Sequence, residues 1–192
     1  HGKVVAKCFL DKKINYAIVS DISKPSAMKA KELLQSLNIA SFDMRVGDGL
    51  KTINALDCID EVIIAGMGAD EIINILKNTD LRFKEYILAP QHNEIQLKKY
   101  LIENGFRINK DYIVFDKKFY TILKVSIGKN SRTEEELILS PDILIEDDYI
   151  KYLDYRYEKL DNILKKTANA EFEKELEIIK VAKSKLKRNE YE

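Results

Sequence analysis

The sequence contains no Trp and only two His, two Cys and three Pro among its 192 residues. Cys8 and Cys58 stand far apart and form no C-x-x-C pair, which excludes a disulfide framework and a redox motif. Two Cys and two His match none of the usual zinc spacings, so no metal is expected. No apolar run approaches the roughly 20 residues of a membrane helix, and no signal peptide is visible. We expect a cytoplasmic protein without membrane contact.

An excess of one charge is also missing, since 32 basic residues balance 32 acidic ones. A nucleic-acid-binding role would therefore depend on local basic clusters, which are equally compatible with ordinary solvated faces. Four tyrosines near the C-terminus could stack on an unpaired base or pack between helices, and packing is favoured for Tyr157. The basic clusters contain Lys12, Lys13, Lys117, Lys118, Lys180, Lys183, Lys185, Lys187 and Arg188. The four tyrosines are Tyr149, Tyr152, Tyr155 and Tyr157.

Short β-rich runs alternate with helical stretches up to about Gly128, which predicts an α/β fold with a mostly parallel sheet. Ser23 is expected to cap a helix that has Pro25 in its first turn. The run 61–65, which is apolar after Glu61, is typical of a central strand covered on both faces, and Gly66 to Gly68 are expected to end it. The last two strands, 107–115 and 119–126, are expected to form an antiparallel hairpin.

The chain changes character after Pro141, because no Gly follows and apolar residues recur every three or four positions. This pattern predicts an antiparallel coiled-coil helix pair that turns at 167–170, with one unbroken helix as the alternative. We predict a Rossmann-like domain over 1–130 and a coiled-coil domain over 141–192.

The sequence opens on His1 and Gly2 without a Met, and residues 4–9 already have a helical pattern. We expect the sequence to be a truncated form of a longer chain.

Ligands of open α/β sheets bind at the carboxyl ends of the strands, so the residues that follow each strand are site candidates. Asp21 could accept hydrogen bonds from both hydroxyls of a ribose, although an Asp at a helix start is as common. Asp48, between Gly47 and Gly49, could meet an adenine amino group or belong to an ordinary turn.

Two further strand ends carry candidates. The run Ala65 to Gly68 could let a flat ligand lie against the backbone, or form a tight turn. Gln91, His92 and Asn93 could bind the edge of a nucleobase, or form a polar surface loop. The recurrence of such residues at successive strand ends raises the odds of a site.

The order of strands and helices resembles that of class I S-adenosylmethionine-dependent methyltransferases. The motifs Ile-Val-Ser-Asp (18–21), Arg-Val-Gly-Asp-Gly-Leu (45–50) and Ile-Ile-Ala-Gly-Met-Gly (63–68), with the leading His-Gly, resemble the bacterial tRNA adenine-22 N1-methyltransferases, the TrmK family. The resemblance covers essentially the whole chain. Two positions differ from the family pattern: Ala69 replaces a common Gly, and Ala-Pro-Gln-His-Asn (89–93) replaces a common Gln-Pro-Asn.

The resemblance implies methylation of N1 of adenine 22 in tRNA, with S-adenosyl-L-methionine as cofactor and tRNA as partner. His1 would accept a proton or orient the base, and a histidine packed at the edge of the cofactor is an equal alternative. A monomer is favoured over an oligomer. The cofactor-binding residues implied are Gly2, Asp21, Ile22, Gly47, Asp48, Gly49, Ala65, Gly66 and Met67, and the catalytic residues implied are His1, Gly66, Met67, Gln91 and Asn93.

This equipment suits methyl transfer, because orienting the nucleophile and placing charge supply most of the catalysis. Adenine N1 already has a lone pair, whereas methylation of the exocyclic amine commonly uses an Asp/Asn-Pro-Pro-aromatic motif that this chain lacks after 61–65. The alternatives are a methyltransferase for another RNA or a small molecule, a nicotinamide enzyme, and a non-catalytic coiled-coil interaction protein.

Overall fold

The computed structural model describes residues 2–140 and 142–189. His1, predicted as a site residue, and Pro141, predicted to mark a domain boundary, lie outside the described residues. The chain divides into two compact units. The first unit comprises His1–Cys58 and Asn74–Leu81, and the second comprises Ile59–Ile73 and Arg82–Glu192.

The first unit contains two helices and two parallel strands, which end level with each other where Asp21 pairs with Val46. The backbone N–H of Ser26 donates to Ser23 Oγ, which confirms the predicted cap. The helix that follows buries Ala27, Ala30 and Leu34 because their spacing of three and four places them on one face. The elements are α1 (Lys3–Leu10), β1 (Ala17–Asp21), α2 (Lys24–Ser36) and β2 (Phe42–Val46), then 3₁₀ turns at Gly49–Thr52 and Ala55–Asp57.

The second unit contains a four-stranded sheet with the spatial order β3-β4-β6-β5. β3 and β4 are parallel, and β6 is antiparallel to both of its neighbours, as predicted for the final hairpin. The strands are β3 (Glu61–Met67), β4 (Glu85–Pro90), β5 (Phe106–Asp116) and β6 (Lys118–Ile127).

One prediction about β3 was wrong. Within the described strands it pairs only with β4, and it alternates between buried Val62 or Ile64 and Ile63, which is 39% exposed. A continuous apolar run therefore did not mean burial on both faces. The strand ends at Met67, within the run Gly66 to Gly68 that was predicted to end it, and its register is irregular around Gly66.

Helices α3 (Ala69–Lys77) and α4 (Glu94–Glu103) follow β3 and β4. The residues of α3 up to Ile73 belong to the second unit and the remainder to the first. Gly105 follows α4 with φ +77°, a conformation that favours glycine after a helix end.

Three helices complete the second unit: α5 (Glu134–Leu139), α6 (Glu146–Leu164) and α7 (Ala170–Asn189). The break between α6 and α7 confirms a helix pair over one unbroken helix. Asp154 pairs with Lys183 and Arg156 with Glu175, so the two helices run antiparallel. Both helices contribute to a core that includes Ile113 of β5. The coiled-coil pairing and the domain boundary between 1–130 and 141–192 stay predictions.

Among the described helices, none is both long enough and apolar enough to cross a membrane. Within residues 2–140 and 142–189, no three His, Cys, Asp or Glu side chains gather in a group fit for a metal ion.

Candidate active site

The predicted site residues divide between the two units. Gly2, Asp21, Ile22, Gly47, Asp48 and Gly49 belong to the first unit, and we call them the acidic set. Ala65, Gly66, Met67, Gln91 and Asn93 belong to the second unit, and we call them the glycine-amide set.

Apart from Gly2, the acidic set lies around the adjacent ends of β1 and β2. The backbone N–H of Gly47 donates to the carbonyl oxygen of Asp21 at 3.1 Å, which places the loop after β2 beside the end of β1. Ser20 Oγ donates to the carbonyl oxygen of Gly49 at 3.2 Å. The backbone N–H of Ser23 donates to Asp21 Oδ1 at 2.8 Å, so this carboxylate is oriented by the start of α2. The structure thus brings together the two acidic segments that the sequence predicted.

Close packing explains the glycines beside Asp48. A Cβ at Gly47 would lie 2.5 Å from Thr52 Cγ2, and one at Gly49 would lie 2.8 Å from Ile75 Cγ1. Lys51 Nζ forms an ion pair with Asp48 Oδ2 at 2.6 Å, and both side chains are partly exposed. The loop therefore presents a carboxylate whose charge is partly balanced by a neighbouring lysine.

The remaining members of the acidic set differ in their surroundings. Ile22 is 73% exposed, directly after Asp21. Gly2 precedes α1 and approaches α2 closely, since a Cβ there would lie 3.1 Å from the Cα of Ala30. Gly2 thus has a packing role against α2 in addition to any contact with a ligand.

Sequence reasoning missed an ion network that holds the loop after β2. Arg45 binds both carboxylate oxygens of Asp57 at 2.7 Å, Asp43 Oδ2 at 2.8 Å and the carbonyl oxygen of Thr52 at 2.6 Å. The backbone N–H of Asn54 also donates to Asp57, at 2.8 Å. The hydrogen bonds from Arg45 and from Asn54 lower the pKa of Asp57 from 3.8 to about 2. The only signal in the sequence was the alternation of Asp43 and Arg45 along β2.

We expect the stabilising effect of this network to fail in acid. Because the pKa of Asp57 is lowered on folding, its contribution is complete above about pH 4 and is lost as the pH falls through about 2. The advantage of the wild type over Asp57→Asn in the free energy of unfolding should therefore shrink across this range. Urea titrations of both proteins at several pH values would measure it, and a difference that stays constant down to about pH 2 would contradict the assignment.

The glycine-amide set lies at the ends of β3 and β4. The backbone N–H of Gln91 donates to the carbonyl oxygen of Met67 at 3.0 Å, and the N–H of Ala69 donates to that of His92 at 3.3 Å. Gln96 Nε2 donates to Asp70 Oδ1 at 2.7 Å and ties the starts of α4 and α3 together. The two predicted segments therefore form one surface, as the parallel arrangement of β3 and β4 requires.

Gly66 and Asn93 mark the two sides of this surface. Gly66 has φ +88°, a conformation that favours glycine, and a Cβ built there would meet nothing within 4 Å. Its backbone therefore has open space for a ligand. Asn93 has φ +58° and precedes α4 without capping it through its side chain. Gln91 and Asn93 are both exposed.

His92 contacts the glycine motif more closely than the two predicted amides do. A Cβ at Gly68 would lie 2.2 Å from His92 Cε1 and 2.7 Å from Glu71 Oε2. The imidazole and a carboxylate thus both occupy the space over Gly68. The sequence placed His92 in the loop, but its position over Gly68 depends on the pairing of the loops after β3 and β4.

The match to known proteins covers almost the entire chain. Residues 1–190 match the family described as "TrmK: tRNA (adenine(22)-N(1))-methyltransferase". The chain belongs to this family. The TrmK match confirms the family predicted from the motifs at 18–21, 45–50 and 63–68, and both sets of site residues lie within it.

Individual relatives agree with this membership. A protein of Mycoplasma genitalium named "Putative tRNA methyltransferase MG248" is 31% identical over 135 residues, which are 68% of this chain and 61% of that protein. This chain therefore spans less than two thirds of the length of that relative.

Two solved structures share the Rossmann-like fold. A protein in the NADB-Rossmann superfamily from Streptococcus agalactiae superposes with a TM-score of 0.82 at 24% identity, over 95% of this chain and 86% of that one. TrmK of M. capricolum, solved in complex with the natural cofactor product S-adenosyl-homocysteine, superposes with a TM-score of 0.77 at 19% identity, over 93% and 84% of the two chains. The predicted α/β class with an antiparallel strand in its sheet is thus confirmed.

Proposed function

We propose that the protein transfers a methyl group from S-adenosyl-L-methionine to N1 of adenine 22 in tRNA. The observation that carries this proposal is the TrmK match over residues 1–190, which includes every predicted site residue. It favours a tRNA substrate over the small-molecule, nicotinamide and non-catalytic alternatives. Cytoplasmic location, a monomeric state and a coiled-coil pairing of α6 with α7 are parts of the same proposal.

We assign the cofactor chiefly to the carboxylates of the acidic set. Asp21, oriented by the N–H of Ser23, would accept hydrogen bonds from the ribose hydroxyls. Asp48 would accept from the adenine amino group, with Gly47 and Gly49 allowing the close fold of its loop. Within the same unit, the backbone around Gly2 and Ile22 would complete the contacts. The cofactor role of Ala65 to Met67 stays a separate prediction from the family resemblance. The bound cofactor supplies an electrophilic methyl group on a sulfonium.

We assign the target base to the glycine-amide set. The open backbone at Gly66 and Met67 would receive the flat face of the adenine, and the amides of Gln91 and Asn93 would orient its edge. Because methylation makes the base cationic, an oxygen that accepts from the exocyclic amine stabilises the transition state. His1 is proposed as proton acceptor or orienting group.

The decisive experiment incubates the full-length natural protein with labelled S-adenosylmethionine and unmodified tRNA, followed by nucleoside analysis. We expect 1-methyladenosine from tRNA with adenine 22 and none from the same tRNA with guanine at that position. Cofactor binding without transfer to this tRNA would move the proposal to another substrate, and a lack of cofactor binding would overturn the enzyme assignment.

Replacing Asp21 by Asn should weaken the binding of the cofactor and leave the stability of the fold unchanged. A hydrogen bond to a charged group contributes about 1.5–3 kcal/mol, so the KM for S-adenosylmethionine should rise about tenfold or more. The matched control is Asp11→Asn, since Asp11 is an acidic residue of the same unit that pairs with Lys7 at the end of α1. Steady-state kinetics at saturating tRNA would measure both, and equal KM values in Asp21→Asn and wild type would contradict the role of Asp21.

A further inference from the structure

The β5–β6 hairpin extends beyond the end of β4, at the sheet edge that carries the glycine-amide set. Leu88 of β4 pairs with Leu123 of β6, and the hairpin turns between Asp116 and Lys118. Continuing this antiparallel register places Thr121 opposite Pro90, the last residue of β4. Three more residues of β6 then project past the sheet edge, a distance of about 10 Å.

Three aromatic side chains meet at this projecting tip, and we call Phe115, Phe119 and Tyr155 the tip cluster. The ring centroid of Phe119 is 5.0 Å from that of Phe115 and 5.5 Å from that of Tyr155. Phe119 also contacts the buried ring of Tyr152 at 5.5 Å, which fixes it to the core. Phe115 is 44% exposed and Tyr155 is 49% exposed. The tip therefore holds two exposed rings on one anchored ring.

Two adjacent lysines accompany these rings. Lys117 forms the turn with φ +61°. Lys118 follows on the face of β6 opposite to Phe119, with its Nζ 4.9 Å from the ring centroid of Tyr120. Asp116 is the single acidic residue between Phe115 and Tyr120. In a chain with no net charge, this pairing of exposed rings with lysines suits a ligand that has flat apolar faces and negative charge.

We propose that the tip cluster binds a nucleotide of the tRNA close to the target adenine. An unpaired base would stack on the exposed faces of Phe115 and Tyr155, while Lys117 of the turn contacts the adjacent phosphate. Stacking on aromatic rings and neutralisation of phosphates are the general means by which proteins hold single-stranded RNA. The inference rests on the proposed function, since it deepens how the same site selects its RNA.

The test compares Phe115→Ala/Tyr155→Ala with Ile127→Ala. Ile127 is a matched control because it is 45% exposed on the same hairpin, at the opposite end of β6. The loss of stacking should raise the KM for tRNA about five- to tenfold for each ring. It should leave kcat and the KM for S-adenosylmethionine within about twofold of wild type. In Lys117→Asn, the salt dependence of tRNA binding should fall by about one unit of slope.

Affinity for tRNA is also measured without cofactor, so that binding is separated from methyl transfer. A wild type that binds tRNA through the tip but methylates another nucleotide would overturn the proposed function and keep this inference. Unchanged tRNA affinity in the double aromatic variant would overturn the inference itself. If that variant instead lost self-association in sedimentation, the cluster would serve a second copy of the chain.

Discussion

Replacing Asp111 by Ala is expected to destabilise the second unit by about 3–5 kcal/mol, because it removes one partner of a buried ion pair. Asp111 on β5 and Lys98 on α4 have no solvent exposure, and Asp111 Oδ2 lies 2.6 Å from Lys98 Nζ. Lys98 Nζ also donates to the carbonyl oxygen of Leu137 at 2.9 Å and to Ser140 Oγ at 2.8 Å. Without Asp111, the ammonium group would be left in the core with neutral partners only.

Urea unfolding of the wild type and of Asp111→Ala at about pH 7 measures this difference. The control is Lys98→Met/Asp111→Leu, because replacing both members of a buried pair by apolar side chains is often close to neutral. That double variant should therefore be far more stable than Asp111→Ala. If the free energy of unfolding of Asp111→Ala were lower than that of the wild type by less than about 1 kcal/mol, Lys98 and Asp111 would not form the charged pair that their geometry indicates.

The pH dependence of the same variant gives a second check. Burial lowers the pKa of Lys98, and the charge of Asp111 opposes this effect in the wild type. In Asp111→Ala the opposition is lost, so the folded state binds fewer protons than the unfolded state over a wider alkaline range. Stability rises with pH wherever the unfolded state binds more protons. The deficit of the variant should thus shrink as the pH rises toward the ordinary pKa of lysine.

The sequence predicted elements well where the signal is local. Ser23 and the spacing of Ala27, Ala30 and Leu34 are read from neighbouring residues, and the structure has the helix they indicate. Lys98 is the opposite case. It stands between apolar Leu97 and Leu101 on α4, and its partner Asp111 is on the next strand. No periodicity marks a lysine as buried when its compensating charge comes from another element.

The tyrosines of α6 show the same limit. Tyr149 and Tyr152 are buried, Tyr157 is partly buried against the same core as predicted, and Tyr155 remains exposed. Helical spacing alone separates such residues only when the helix has one buried face. Because α6 packs on both β5 and α7, its buried surface is wider than a heptad seam, and the sequence could not decide which tyrosine faces solvent.

The residues of the candidate site could be predicted wherever the end of a strand could be predicted from the sequence. Asp21, Asp48 and the run Ala65 to Gly68 follow strands, so the rule for open sheets found them without structural data. The ion network around Arg45 and the position of His92 depend on loops that meet in space.

Gly68→Ala should lower kcat about a hundredfold, the order expected when reacting groups are displaced by about 1 Å. The φ of Gly68 lies outside the left-handed region, so its backbone tolerates alanine. The added methyl group, however, would lie 2.2 Å from His92 Cε1 and must displace the imidazole. His92 is exposed, and we expect its displaced ring to turn toward the ends of β3 and β4, where we propose that the adenine binds. Single-turnover kinetics with saturating cofactor and tRNA would measure the methyl-transfer step.

A double-mutant cycle with His92→Ala identifies the cause of that loss. If the displaced ring blocks the adenine, Gly68→Ala should cost far less in the His92→Ala background, because there is no ring to displace. Glu71, whose Oε2 would lie 2.7 Å from the same methyl group, is exposed and can turn into solvent. Equal losses with and without His92 would show that the methyl group itself occupies the place of the base. The absence of a side chain at Gly68 would then be required by the substrate and not by the histidine.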